Sequence, residues 1–444
     1  MASKFLLPLA VVAACCTASV LPRAPSQDVH GSWVTYPITR AARHRPLTKR
    51  DFDVPLYNVT SISYLIELSI GTPGQSVKVA IDTGSDELWV NPNCSSDDLT
   101  FSQQSECLAN DEYNPAKSKT AQVTTDTTEI QYGKGFVELE YVKDNIALPG
   151  STVNVTDAQF GVATDSSELN EGILGLGFGK GFNLPYNNLI DDLFLQNVTQ
   201  TKAFGIALGS VDEDNGGTLI FGGVDTKKFT GPLITNKILG PQDGESLFRY
   251  WIEMTSIALS KPGTSKVYAN SHMAVVIDSG SSLSYLPSSV VSAMARDTEG
   301  QFDSRSGLYV VPCKQLSQRG SFDFAFGQAT IRVPFNEFIW QYDANTCILG
   351  AVPVDSSTGI TALLGDTFMR SAFVVFDQSE KVIGLAEYVN CGENEKAIPA
   401  GGLSAGNFTG ECNAKNSRNA AGRTTYSSAA LVVGLSVGAM MSFL

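Results

Sequence analysis

Short runs of alternating or wholly apolar residues, punctuated by Gly and Pro, cover most of the chain and predict strands rather than helices. Residues 64–70 alternate apolar and polar positions and run into Gly71-Thr72-Pro73-Gly74, a strand and its turn. Residues 77–81 then form an apolar run that ends at Asp82, and Leu88-Trp89-Val90 follows. Farther on stands Gly172-Ile173-Leu174-Gly175-Leu176-Gly177. The second half repeats the order. Residues 250–257 alternate, 275–277 lead into Asp278, and Leu363-Leu364-Gly365-Asp366 arrives at a comparable distance. Residues 288–296 are the best short helix. The repeated order predicts an all-β, bilobal fold of two related lobes, with the two Asp-bearing turns meeting at a central cleft.

Those turns carry the candidate chemistry. The first reads Asp82-Thr83-Gly84-Ser85 and the second Asp278-Ser279-Gly280-Ser281. Gly84 and Gly280 permit a tight turn close to opposing backbone. Thr83 and Ser279 are placed to hydrogen-bond across to the other lobe. Ser85 and Ser281 are placed to donate to the outer oxygens of Asp82 and Asp278. Two carboxylates face to face share one proton, so one is a base and the other an acid toward a water between them. Residues 129–137 alternate on either side of a Gly-rich tip at Gly133 and predict a β-hairpin lid over the cleft. Tyr132 closes the site from above, with Trp89 as its support; an ordinary hairpin with both rings in a core is the alternative.

Composition narrows the function. The chain has 444 residues, 43% of them apolar, a formal charge of −14 and a pI near 4.7, with no basic patch for nucleic acid. Residues 1–50 hold seven Lys/Arg and one Asp, so the remainder is more acidic than the whole. An acidic body behind a basic leader suits work in acid, where carboxylates are protonated and self-repulsion is relieved. Past residue 50 the one histidine is His272, read as a loop residue before a strand. No H-E-x-x-H or phosphate-loop motif is present, so no metal or cofactor is expected.

The ends read as processing signals. Residues 1–19 form a secretory signal peptide, and residues 20–50 a pro-segment ending at the dibasic Lys49-Arg50. Catalytic lobes are expected over 51–235 and 236–391, then a Gly-, Ser- and Asn-rich stalk over 392–419. Small residues at Asn419-Ala420-Ala421, a polar spacer and an uncharged apolar tail match a glycosylphosphatidylinositol signal over 420–444, with Asn419 as attachment residue. Three local disulfides, Cys94-Cys107, Cys313-Cys347 and Cys391-Cys412, are the economical pairing, although sequence alone leaves the connectivity open. Asn58, Asn93, Asn154, Asn197 and Asn407 are N-glycosylation acceptors.

At its two Asp turns, Leu88-Trp89-Val90, Tyr132-Gly133, the 172–177 element, Tyr250-Trp251 and Leu364-Gly365-Asp366, the chain resembles the pepsin-family (A1) aspartic proteases, from about Asp51 to Cys391. Its ends make it similar to the fungal yapsin and candidapepsin branch. The resemblance implies a bilobal β fold, aspartic endopeptidase activity, Asp82 and Asp278 as catalytic pair and Tyr132 as flap residue. It also implies peptide or protein substrates bound extended in the cleft and a pro-segment that acts as intramolecular inhibitor. The expected protein is a monomer, secreted or held at the plasma membrane or cell wall by its lipid. The alternative is a catalytically silent pepsin-fold binding or inhibitor protein. Three features depart from the family. Glu171 stands where Asp is usual, Lys134 replaces a small hydroxyl or acid beside the flap tip, and the 94–107 loop carries Asp97, Asp98 and Glu106. With Asp86 and Glu87 these hints conflict, and no side-chain specificity is assigned.

Overall fold

Each Asp-bearing strand is wedged into a sheet of its own. A computed structural model of the protein describes residues 33–41, 63–133, 135–213, 217–242, 244–343, 345–355 and 362–413. In the first half, strand Gln75–Asp82 pairs antiparallel with Ser63–Ile70 and parallel with Gly172–Gly175, so that Asp82 lies opposite Gly175. Gly172–Gly175 also pairs antiparallel with Leu88–Val90. The second half repeats this wiring. Strand Met273–Ile277 pairs antiparallel with Trp251–Met254 and parallel with Leu363–Leu364, which in turn meets Ser284–Pro287 antiparallel. Val275, Val276 and Ile277 are all buried. A strand with parallel partners and both faces covered reads as a continuous apolar run rather than an alternation.

A third sheet joins the halves, and the lobe-by-lobe reading did not anticipate it. Its order is Val34–Pro37, Thr218–Phe221, Ala203–Ala207, Ala372–Asp377, Val382–Tyr388, Phe229–Lys237 and Thr409–Glu411. It takes strands from both halves, and one apolar core runs through the molecule. Phe204 stacks on Phe376 with ring centroids 4.9 Å apart, and Tyr250 packs against both. The helix expected at 288–296 spans Ser288–Asp297 and buries Val290, Val291, Met294 and Ala295, the spacing of a single apolar face.

Two segments at the ends of the body are folded into the sheets. Residues 34–41 lie in the expected pro-segment, and strand Val34–Pro37 forms an edge of the central sheet, opposite Thr218–Phe221, with Val34, Tyr36 and Ile38 buried. Thr39–Ala41 pairs with residues 63–65, and the Arg40 guanidinium donates to the carbonyls of Ser210, Val211 and Glu213. The segment from residue 392, read as a stalk, is folded on the body as far as Cys412. Glu395–Ala397 pairs with Gly223–Asp225 and Thr409–Glu411 with Phe229–Lys237. Ile398, Leu403 and Phe408 pack against Phe229 and Phe373. Three well-spaced apolar residues help to dock this segment, and its Gly-, Ser- and Asn-rich average conceals them.

Cys94–Cys107, Cys313–Cys347 and Cys391–Cys412 are each joined, with Cα separations of 5.5, 5.2 and 5.9 Å. These distances lie within the range a disulfide spans. Asn154, Asn197 and Asn407 are exposed. Asn93 is half-buried and donates its amide to Asp165. Asn58, the signal peptide, Lys49-Arg50, Asn419 and the 420–444 tail lie outside the described residues, as does Lys134. Among the described residues no helix is long and apolar enough to cross a membrane.

Candidate active site

The strand ends bring Asp82 and Asp278 together at the junction of the halves. Each turn is built alike. Gly84 N–H donates to Asp82 Oδ1 at 2.7 Å, and Ser85 Oγ donates to Oδ2 at 2.5 Å. Gly280 N–H donates to Asp278 Oδ1 at 2.9 Å, and Ser281 Oγ to Oδ2 at 2.7 Å. Oδ1 is the inner oxygen in both cases. A Cβ on Gly84 would lie 2.6 Å from Asp278 Oδ1, and one on Gly280 would press on Asp82 Oδ1. Glycine is required at both positions because each turn passes against the other's carboxylate.

Thr83 and Ser279 lock the turns to each other. Thr83 N–H donates to Ser279 Oγ, and Ser279 N–H donates to Thr83 Oγ1. Each hydroxyl donates onward, Thr83 Oγ1 to the Ile277 carbonyl and Ser279 Oγ to the Ile81 carbonyl. All four groups are buried, so each bond also prevents an unpaired buried polar atom.

Burial, and then the negative charge of Asp278, hold the Asp82 carboxyl well above the usual carboxylate range. The hydrogen bonds from Ser85 and Gly84 oppose that rise. Two carboxylates in this setting are most stable sharing one proton. Behind them lies Asp366 of the Leu-Leu-Gly-Asp element, fully buried, and among the described residues neither of its oxygens is hydrogen-bonded. Burial pushes its carboxyl strongly upward against the pull of Arg370.

The hairpin expected as a lid consists of Gln122–Gln131 and Phe136–Ala147, closed by Gln131 opposite Phe136. Gly135 takes a positive φ of 74° at the turn, and Tyr132 N–H donates to its carbonyl. Gly133, at the tip, has open space around it. Trp89 Nε1 donates to Tyr132 Oη at 2.8 Å, and both rings join a small apolar cluster with Val137 and Leu139. Burial and then the charge of Asp82 raise the Tyr132 phenol.

Sequence reasoning missed the polar frame around the first turn. Asp86 accepts from Phe178 N–H and from Asn183 Nδ2, and burial raises it to about 6. Glu87 Oε2 accepts from both Tyr141 Oη and Tyr186 Oη at 2.6 Å. Arg249 Nη1 donates to the Gly84 carbonyl at 2.8 Å, while its Nε donates to Glu245. No motif or spacing signals Asn183, Tyr186 or Arg249, since they reach the turn from remote parts of the chain. His272 is exposed and contacts Glu253. Among the described residues no cluster of His, Cys, Asp and Glu has the arrangement to hold a metal ion.

Comparison with known proteins agrees with this geometry. The family model for eukaryotic aspartyl proteases matches residues 63–388. The chain is 35% identical over 386 residues to the "Probable aspartic-type endopeptidase opsB" of Aspergillus oryzae, covering 82% of this chain and 76% of that protein. It is 31% identical over 355 residues to candidapepsin of Candida tropicalis, covering 78% and 84%. The crystal structure of the aspartic proteinase from Irpex lacteus has the same fold, with a TM-score of 0.62 at 21% identity over 80% of this chain and 98% of that one. With both Asp turns inside the matched span and paired across the junction, the chain belongs to the eukaryotic aspartyl protease family.

Proposed function

We propose that the protein is a secreted endopeptidase that hydrolyses peptide bonds with a water activated between Asp82 and Asp278. The observation that carries the reading is the reciprocal approach of the turns, each glycine lying against the other turn's inner carboxylate oxygen. The ionised partner takes a proton from the water as it attacks the scissile carbonyl. The protonated partner donates to the developing oxyanion, and a proton then passes to the leaving amine. Ser85 and Ser281 hold the outer oxygens, so the inner pair does the proton transfer. The flap residue Tyr132, supported by Trp89, covers the bound peptide and limits water.

Secretion is supported by the apolar leader at residues 1–19 and by relatives named as secreted, such as "Secreted aspartic protease 8" of Candida albicans. Removal of residues 20–50 at Lys49-Arg50 and lipid attachment at Asn419 complete the proposed maturation. The test is peptide cleavage at acid pH with and without pepstatin, whose hydroxyl mimics the tetrahedral intermediate. Pepstatin-sensitive cleavage that disappears in Asp82→Asn is the expected result. Substantial activity of purified Asp82→Asn would overturn the mechanism.

A further inference from the structure

The lock between Thr83 and Ser279 is one tie between the catalytic turns. A second runs through the segment that enters strand Trp251–Met254. Trp251 lies opposite Val276 in the strand that leads directly to Asp278. Just before that strand, Arg249 donates through Nη1 to the carbonyl of Gly84, one residue beyond the Thr83 lock. Glu245 holds the same guanidinium through Nε at 2.7 Å, with both side chains about three-quarters covered. Phe248 reinforces the contact. Its N–H donates to Asn183 Oδ1 and its carbonyl accepts from Asn183 Nδ2, which also donates to Asp86 Oδ2. Tyr250 Oη donates to the Leu176 carbonyl and accepts from Gln378 Nε2. Three consecutive residues, 248–250, are therefore each tied to the frame of the first turn. Among the described residues no cation is hydrogen-bonded to the matching carbonyl of Gly280, so the tie is one-sided.

We propose that Arg249 is a positioning residue for the reaction, fixing the Asp82 turn against the strand that carries Asp278. The proposal rests on the proteolytic reading above. Gly84 N–H holds the inner oxygen of Asp82, so a shift of the Gly84 peptide moves the hydrogen bond that aims that oxygen. A misplacement of a fraction of an ångström costs far more in the transition state than in substrate binding. Arginine suits the task because its planar fork bonds Gly84 and Glu245 at once, whereas a lysine satisfies only one of them well.

The experiment compares the wild-type chain with Arg249→Met, Arg249→Lys and Glu245→Gln, reading kcat, KM, pepstatin affinity and melting temperature. Arg249→Met is expected to lower kcat at least tenfold with KM within about twofold, and to weaken pepstatin about tenfold. Arg249→Lys is expected to recover part of kcat, and Glu245→Gln to stay within about threefold of wild type. A kcat for Arg249→Met within twofold of wild type would overturn the proposal. So would a loss carried wholly by KM, or one that Arg249→Lys does not relieve at equal melting temperature. A wild-type chain that neither cleaves peptides nor binds pepstatin would end the proteolytic reading and this one together. An active wild type with an unaffected Arg249→Met would end only this one.

Discussion

Thr83 Oγ1 accepts the backbone N–H of Ser279 at 3.0 Å while Thr83 N–H donates to Ser279 Oγ at 3.1 Å, so each residue satisfies the other's backbone across the junction. Thr83→Val keeps the shape and removes both roles of the hydroxyl. The Ser279 N–H and the Ile277 carbonyl are then buried without that partner, at about 1–3 kcal/mol for such a group. The expected result is a stability loss of about 2 kcal/mol by chemical denaturation, with kcat falling at least tenfold and KM little changed. A variant as stable and as active as wild type would show that the lock is dispensable.

Gly84→Ala tests the closeness of the turns from the other side. The added methyl would sit 2.6 Å from Asp278 Oδ1, inside van der Waals contact, so one turn must move. Peptide cleavage and pepstatin binding are both expected to be lost, while circular dichroism stays that of a folded β protein. Gly133→Ala, at a tip with open space, is the control and is expected to retain most activity.

How far these relationships were readable follows from where the information sits. Asp82, Asp278 and their Ser and Gly partners are within three residues of one another in each turn, so local order specifies them. The Trp89 strand and the Gly-flanked tip at Tyr132 were legible as elements, whereas lid and ordinary hairpin stayed open as roles. Arg249, Asn183 and Tyr186 were not legible, because their roles arise only when the sheets stack and bring remote segments to the Asp82 turn. The central sheet was hidden for a similar reason. Its strands come from both ends and the middle of the chain, and pairing between distant strands leaves no mark in local periodicity. Residues 393–412 were misread because composition averages out Ile398, Leu403 and Phe408.

The Cys391–Cys412 bridge closes this last segment on the body. Asp377 Oδ2 accepts Leu403 N–H and Asp225 Oδ1 accepts Asn394 N–H, so the strap is also bonded along its length. Replacing both cysteines with serine is expected to cost about 2–4 kcal/mol and to make residues 393–412 sensitive to limited proteolysis. Peptide cleavage should be nearly unchanged, because the strap packs on Phe229 and Phe373 and not on the catalytic turns. Loss of activity without loss of folding would assign the strap a role in the site.

Asp192 tests, away from Asp82 and Asp278, whether the body is more stable in acid. It is buried on helix Leu189–Leu195, and burial raises its carboxyl from 3.8 to about 6, opposed by Asn187 and Lys143. A carboxyl whose folded pKa exceeds its unfolded value binds its proton more tightly in the native state. The unfolded chain therefore holds fewer protons between about pH 4 and 6, and stability falls as pH rises through that window. Asp86, raised to about 6, and the Asp82 carboxyl act in the same direction. Asp192→Asn removes one of these contributions. It is expected to match wild type at pH 4 and to exceed it by about 1–2 kcal/mol at pH 7, read from urea denaturation at the two pH values. An equal gain at both would trace the effect to packing, and a loss at pH 7 would show that the ionised carboxylate is favoured in the fold.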